Sequence, residues 1–350
     1  MAVQDGGKRI TLRDVAQEAG VSLKTASNVI NGTGRMAKPT RDRVQEVIER
    51  LGYRVNMAAR NLNRDHTGFI TLAVPTLTPP YLAELANRVI DEARKRDYSV
   101  YVTTYAEGSA KGARSLLEDF NTTVSDGLIL SMSEVESICP EDLDVPFPLV
   151  VVGARTTWGR RDHVTPDDVQ ASGEAARYLF SRGVERLAVV GARGEYDESA
   201  ALKAEEGNAQ LRLRGVLETC RAQGRALDPR LVGVTDQDWT IGSGYRVTQS
   251  LIESGVPFDG IVAFNDQLAI GAVSALNASG REIPGEVQVI GFDNIEESAY
   301  LQPPLTTMDS RLDWTAPTAV GRILARIQGE TLSPELLTTP SRVIARATTR

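Results

Sequence analysis

Two histidines and two cysteines in 350 residues leave little of the chemistry that side chains usually perform. Cys139 and Cys220 stand far apart and are too few for a disulfide framework or a cysteine-based zinc site. His66 and His163 have no cysteine beside them, so metal ligation and a Ser-His-Asp triad both lack components. No run of about 18 apolar residues occurs, which predicts no membrane-spanning helix. The opening MAVQDGGKRI has no apolar core of a secretion signal, and a reducing, cytoplasmic address is expected. The glycine-containing GTGR and GSGY stretches lack the spacing of a phosphate-cradling loop. Asp167-Asp168 and the Asp236/Asp238 pair read as turn and cap residues rather than an acid/base pair. No metal, no cofactor and no catalytic residues are expected.

The length suits two or three domains, and charge divides them. Residues 1–64 hold 12 Lys and Arg against 6 Asp and Glu, leaving 27 against 40 for the rest. A basic head on an acidic body is the balance of a polyanion-binding module joined to a self-repelling one. Within that head, LRDVAQEAGVSLKTASNVING places Leu12, Val15, Ala16 and Ala19 on one helical face. Thr11 with Asp14 is a short-armed capping box. Gly20 ends the first helix, and Ser22 caps a second that runs to about Ile30. Two helices joined by so short a turn suggest a helix-turn-helix. In TRDRVQEVIERLGY, the residues Val44, Val47, Ile48 and Leu51 mark a third helix, with Thr40 as its cap and Gly52 as its stop. The polar stretch that follows reads as a linker with one short helix from about Asn56 to Asn63.

From Phe69 the pattern changes. Eight short apolar runs rich in β-branched residues, from FITLAVP to VQVIGFD, alternate with helical stretches over about 280 residues. That is more than one compact sheet usually takes. The fold class expected is α/β: an N-terminal all-α helix-turn-helix headpiece plus a two-subdomain core with parallel sheets, ligands binding outside the carboxyl ends of strands.

ITLRDVAQEAGVSLKTASNVING, TRDRVQEVIERLGY, GFDN and PPLTTM together, in this order, resemble the lactose/galactose-repressor (LacI/GalR) family of bacterial transcription regulators. The resemblance implies a headpiece over residues 1–55 and a hinge helix over 56–66. It implies a periplasmic-binding-protein-like core over 67–350, with an N-subdomain of about 67–166 and 308–339 and a C-subdomain of about 167–307 and 340–350. It further implies a homodimer on palindromic double-stranded operator DNA and a small effector, most simply a sugar, held between the subdomains. A purine- or phosphosugar-responsive corepressed regulator remains open, as does a sugar-binding transport component using the same cleft. An α/β enzyme with an incidental N-terminal module has no nucleophile–base pair or cofactor loop to support it.

Site residues follow in part from geometry and in part from the resemblance. Leu23, Lys24 and Asn28 project away from the packed face of the second helix, where they can reach a thymine methyl, guanine and adenine. Ser22, Thr25 and Ser27 carry short hydroxyls suited to phosphates. The alternative is that all are solvent-facing polar residues on a structural helix. The resemblance adds Asn31, Thr40 and Tyr53 as DNA contacts, and Asn56, Ala59 and Leu62 in the hinge, with Leu62 an apolar wedge in the minor groove. Asn28 departs from the arginine usual in the family, so the operator sequence stays open, and Val55 stands where the family often has proline, so the entry to the hinge helix is expected to be less constrained. For the effector, Asn265 and Asp266 end a strand and open a helix; Asp266 matches the family's ligand-binding acid, with a plain N-cap as the alternative. Arg212 aligns with a ligand-donating arginine, favoured over Arg214 because Gly215 stands three residues beyond it. Trp239 would offer an apolar face to a sugar ring, or else simply pack. Tyr81 and Arg155 would line the N-terminal half of the cleft.

Overall fold

The computed structural model describes residues 10–30, 33–53, 66–105, 112–132, 138–331 and 333–350. It forms two compact units, residues 1–67 and 68–350. The first contains α1 (Leu12–Glu18), α2 (Leu23–Ile30) and α3 (Lys38–Leu51). Thr11 and Asp14 close a reciprocal capping box on α1. Gly20 takes a φ of +62°, which turns the chain into α2. Val15, Ala19, Val44 and Val47 are buried together, with Val21, Val29, Ile48, Leu51 and Tyr53 packed against them. One expectation fails here. Thr40 does not cap α3 but lies inside it; the cap is Ala37, and Pro39 pre-sets the first turn without needing an N–H partner. Gly52 ends α3 in the left-handed conformation, as its position predicted.

The second unit carries two six-stranded sheets. The first comprises β1 (Phe69–Val74), β2 (Ser99–Thr104), β3 (Leu128–Ser131), β4 (Leu149–Val152) and β5 (Asp162–Pro166), joined by β11 (Leu336–Thr339). Its order is β11-β5-β4-β3-β1-β2, all parallel. The helices of this lobe are α4 (Pro80–Arg94), α5 (Ala113–Glu118) and α11 (Leu312–Ile327). The second sheet comprises β6 (Leu187–Ala192), β7 (Val232–Val234), β8 (Gly260–Ala263), β9 (Gln288–Phe292), β10 (Thr306–Asp309) and β12 (Arg342–Ile344), in the order β12-β10-β9-β8-β6-β7. Only β12 runs antiparallel, on β10. Its helices are α6 (Asp168–Ser181), α7 (Glu198–Ala201), α8 (Asn208–Ala222), α9 (Ile241–Glu253) and α10 (Asp266–Ala278). Central strands β3, β4, β8 and β9 are buried along their whole length, as a sheet covered on both faces requires, whereas edge strand β2 alternates with solvent.

The chain crosses between the lobes three times, after Pro166, after Asp309 and after Thr339. The expected boundary at residue 308 therefore falls inside β10, because Thr306–Asp309 complete the second sheet's ladder before the chain leaves it. The crossings are tied to one another. Arg311 Nη1 donates to the Pro340 carbonyl at 3.1 Å, Asp167 N to the Thr339 carbonyl at 3.2 Å, and Arg342 Nε to Asp309 Oδ2 at 3.0 Å. Among the described residues no helix is long and apolar enough to cross a membrane.

Candidate functional site

In the headpiece, Ser22 Oγ accepts from Thr25 N at 3.1 Å and pairs with the Thr25 hydroxyl at 2.8 Å, so both side chains serve the start of α2. Leu23 and Lys24 are exposed on the next positions, Leu23 at 48 %. Ser27 and Asn28 are half-buried. Asn28 is turned back on the loop after α2, where Thr33 Oγ1 lies 3.5 Å from its Oδ1. Tyr53 packs on the headpiece core rather than standing clear of it. Asn31, Asn56, Ala59 and Leu62 lie outside the described residues.

In the core, a cleft of roughly 190 Å³ opens between the two sheets at the carboxyl ends of their strands. The first lobe contributes Pro75, Thr76, Pro79, Tyr81, Leu82, Gly153, Thr165 and Pro166. The second contributes Asp168, Ala171, Asn208, Arg212, Asp236, Gln237, Trp239, Asn265, Phe292 and Asp293, and the crossings add Ser310 and Ser341.

Arg212 is the centre of that wall. It projects from α8, 6 % exposed, and its Nε donates to Asp168 Oδ1 at 2.7 Å while Nη1 donates to the Phe264 carbonyl. The guanidinium lies 4.4 Å from the Phe292 ring centroid and 5.6 Å from that of Trp239. Burial works against its charge, but Asp168 and Asp293 outweigh burial and raise its pKa. The pair forms because α6 and α8 approach closely at Gly215, where a Cβ would stand 2.2 Å from the Val169 carbonyl. Asn208, one turn earlier on α8, donates from Nδ2 to Asp168 Oδ2 at 3.3 Å.

Asp293 follows directly on β9 with a φ of +102° and faces the same cavity. Burial pushes its carboxyl above the usual range; Arg212 and the Ser310 hydroxyl, donating at 2.9 Å, counter part of that, and Asp168 adds to it. From the opposite lobe Tyr81 meets this cluster. Burial, then Asp293 and Asp168, raise its phenol, which stays a neutral O–H group. Asn265 caps α10, its Oδ1 accepting from Leu268 N at 2.7 Å, while its Nδ2 donates to the Trp239 carbonyl at 3.1 Å.

Two expected effector residues are placed elsewhere. Asp266 is fully buried behind the cleft and does not line it. Its carboxylate accepts from Ser298 Oγ and Thr307 Oγ1, both at 2.6 Å, and from Ile295 N at 3.0 Å. It thus ties α10 to β10 and to the loop after β9. Burial and then Asp293 push it up to about 8, against those three donors. The plain N-cap alternative also fails, since Asn265 does the capping. Arg155, 4 % exposed, is likewise absent from the cavity wall. It pairs with Glu206, donates to the Ile138 carbonyl at 3.0 Å and lies 4.8 Å from the Trp158 ring. The cause is local: Gly207 N donates to the Ala154 carbonyl at 3.1 Å and brings Glu206 onto the arginine. Conversely, Asp168 and Asp293 were not singled out for the cleft. For Asp293 a signal existed, since the GFDN motif places it at a strand's carboxyl end. For Asp168 the signal was only its place beside a helix cap.

A small all-α helix-turn-helix unit and a two-lobed unit with a polar, aromatic-lined cleft define a ligand-responsive DNA-binding regulator. Residues 11–56 match the family described as bacterial regulatory proteins, lacI family, and residues 176–349 match the periplasmic binding protein-like domain. The regulator DegA of Bacillus subtilis (strain 168) is 30 % identical over 310 residues, covering 86 % of each chain. A LacI-type transcription regulator from Bifidobacterium animalis subsp. lactis superimposes with a TM-score of 0.75 at 30 % identity, over 80 % of this chain and 99 % of that one. A transcriptional regulator CelR–cellobiose complex gives 0.70 at 25 % identity, over 97 % and 100 %. The chain belongs to the LacI family of bacterial transcription regulators.

Proposed function

We propose that the protein represses transcription as a homodimer on a palindromic operator, and that a small polyhydroxylated ligand in the cleft sets its grip on DNA. The observation that carries this reading is the wall built around Arg212. A buried guanidinium, the carboxylates Asp168 and Asp293, the amide of Asn265 and the rings of Trp239 and Phe292 converge on one cavity. Carboxylate, amide and guanidinium groups exchange hydrogen bonds with vicinal hydroxyls, and an aromatic face covers the apolar side of a sugar ring. A volume below the usual range of about 300–1,000 Å³ for ligand pockets suits a monosaccharide-sized guest. The CelR relative, found with cellobiose, supports the same ligand class.

On the DNA side, Leu23 and Lys24 stand exposed at the start of α2 and read base edges, with Ser22, Thr25 and Ser27 toward phosphates. Asn56, Ala59 and Leu62 act in the minor groove as a hinge element. Ligand binding favours one arrangement of the two lobes, and only its differential affinity for the two arrangements changes DNA binding. The test is a fluorescence-anisotropy titration on palindromic fragments from the protein's own locus. Lys24→Ala lowers cognate affinity by about 1–3 kcal/mol and nonspecific affinity far less. Equal losses on both DNAs would move Lys24 to phosphate duty.

A further inference from the structure

We propose that Asp168 sets the charge class of the ligand: by neutralising Arg212 it confines the cleft to uncharged polyols and shuts out phosphorylated ones. The inference rests on the effector reading above and narrows it. An anion can be held by an uncompensated cation or by the free N–H groups of a helix N-terminus, and the described residues of the cleft offer no uncompensated cation. Arg212 is the one cation among the described residues that line it, against Asp168, Asp236 and Asp293. Arg212 is already engaged, Nε with Asp168 and Nη1 with the Phe264 carbonyl.

Two helix ends that border the cleft, those of α6 and α10, are engaged as well; α8 starts at Gly207 with no side-chain cap or first-turn acid, but its first residue, Asn208, lies against the Asp168 carboxylate at 3.3 Å. At α6, Asp167 accepts from Gln170 N at 2.9 Å, and Asp168 itself occupies the first turn. At α10, Asn265 accepts from Leu268 N, and Asp266 occupies the first turn. The Asp168 carboxylate offsets the positive end of α6. From the other lobe, α4 enters through Pro79 and Pro80, which have no N–H to offer. Among the described residues, a phosphate ester would therefore meet like charge on one wall and no free donor cluster on the other. An uncharged polyol still finds acceptors on Asp168 and Asp293 and the remaining N–H groups of Arg212.

The experiment uses the full-length protein and matched pairs, hexoses and pentoses each with its terminal phosphate ester, plus inorganic phosphate, all at constant ionic strength. Binding is read by tryptophan fluorescence and thermal shift, and Trp239→Phe marks the part of the signal that comes from the cleft. In wild type, an uncharged member binds at least about tenfold more tightly than its phosphate ester. In Asp168→Asn that preference shrinks by about the same factor, because Arg212 regains a free charge. A phosphate ester bound as tightly as its parent by wild type overturns the proposal whether or not the variant folds, and so does unchanged selectivity in a folded Asp168→Asn. Should no polyol, phosphorylated or not, alter the Trp239 signal, the polyol-effector reading fails. Phosphate-ester binding instead leaves that reading standing and defeats only the role of Asp168.

Discussion

The two walls of the cleft differ in kind. The wall from the second lobe carries every charged residue among the described residues that line the cavity, Asp168, Arg212, Asp236 and Asp293, together with Trp239 and Phe292. Among the described residues, the wall from the first lobe carries prolines, threonines, a glycine, a leucine and Tyr81, with no charge. The charged wall is cross-braced before any ligand arrives, since Arg212 is fixed by Asp168 and by two rings, and Asp293 by Ser310. The second lobe is thus a preorganised platform, and the first a cover whose main polar contribution is one phenol. Such a division suits a protein that must sense a guest by lobe position: affinity resides in one half, and the other registers that the guest is present.

Substitutions separate these roles. The largest effect is expected from Arg212→Met, which strands Asp168 and Asp293 in a buried site. Removing one partner of such a pair costs about 3–5 kcal/mol, read as a lower urea midpoint. A variant as stable as wild type would show that the platform is not braced by this pair. Gly215→Ala follows, at about 1–3 kcal/mol, because its Cβ would press on Ser172 and on the Val169 carbonyl and part α6 from α8. Ligand affinity should fall with it, whereas stability loss with intact affinity would detach the helix packing from the site.

Third is a pH effect behind the platform. The Asp266 carboxyl is raised from 3.8 to about 8 in the fold. The folded protein then holds a proton that the unfolded chain releases. The stability from this group is complete below about pH 4 and is lost as pH rises toward 8. The melting temperature of wild type relative to Asp266→Asn should accordingly decline by a few degrees between pH 5 and 8; a flat difference would mean the group is already ionised in the fold. The smallest effect belongs to the cover. Tyr81→Phe should weaken ligand binding by about 1 kcal/mol with no change in urea midpoint. A loss rivalling that of Arg212→Met would erase the distinction between the walls.

The sequence displayed the frame better than the walls. Helices α1 to α3 were legible from apolar spacing and from Thr11 and Gly52, because such signals are local. Strands β1 to β4 and β6 to β9 were legible as apolar runs. Strands β5, β10, β11 and β12 were not, since DHVTP, TTMD, LLTT and RVI are polar or short and pair late in the chain. Within the cleft, Arg212, Trp239, Asn265 and Tyr81 were placed where expected. Asp266 and Arg155 were not, for reasons no spacing reveals. Asp266 is claimed by Ser298 and Thr307, which lie far along the chain, and Arg155 by Glu206 from the other lobe. Whether a carboxylate at a strand end faces a ligand or a neighbouring loop depends on contacts distant in sequence, and Asp266 and Asp293 show the two outcomes side by side.

The central claim is that the cleft and the DNA-binding headpiece share one equilibrium. The most direct measurement determines two quantities on the same full-length protein: operator affinity with and without a saturating polyol, and polyol affinity with and without saturating operator. The account predicts that each ligand changes the affinity of the other by the same factor. Tight binding of both partners with no mutual effect would contradict it.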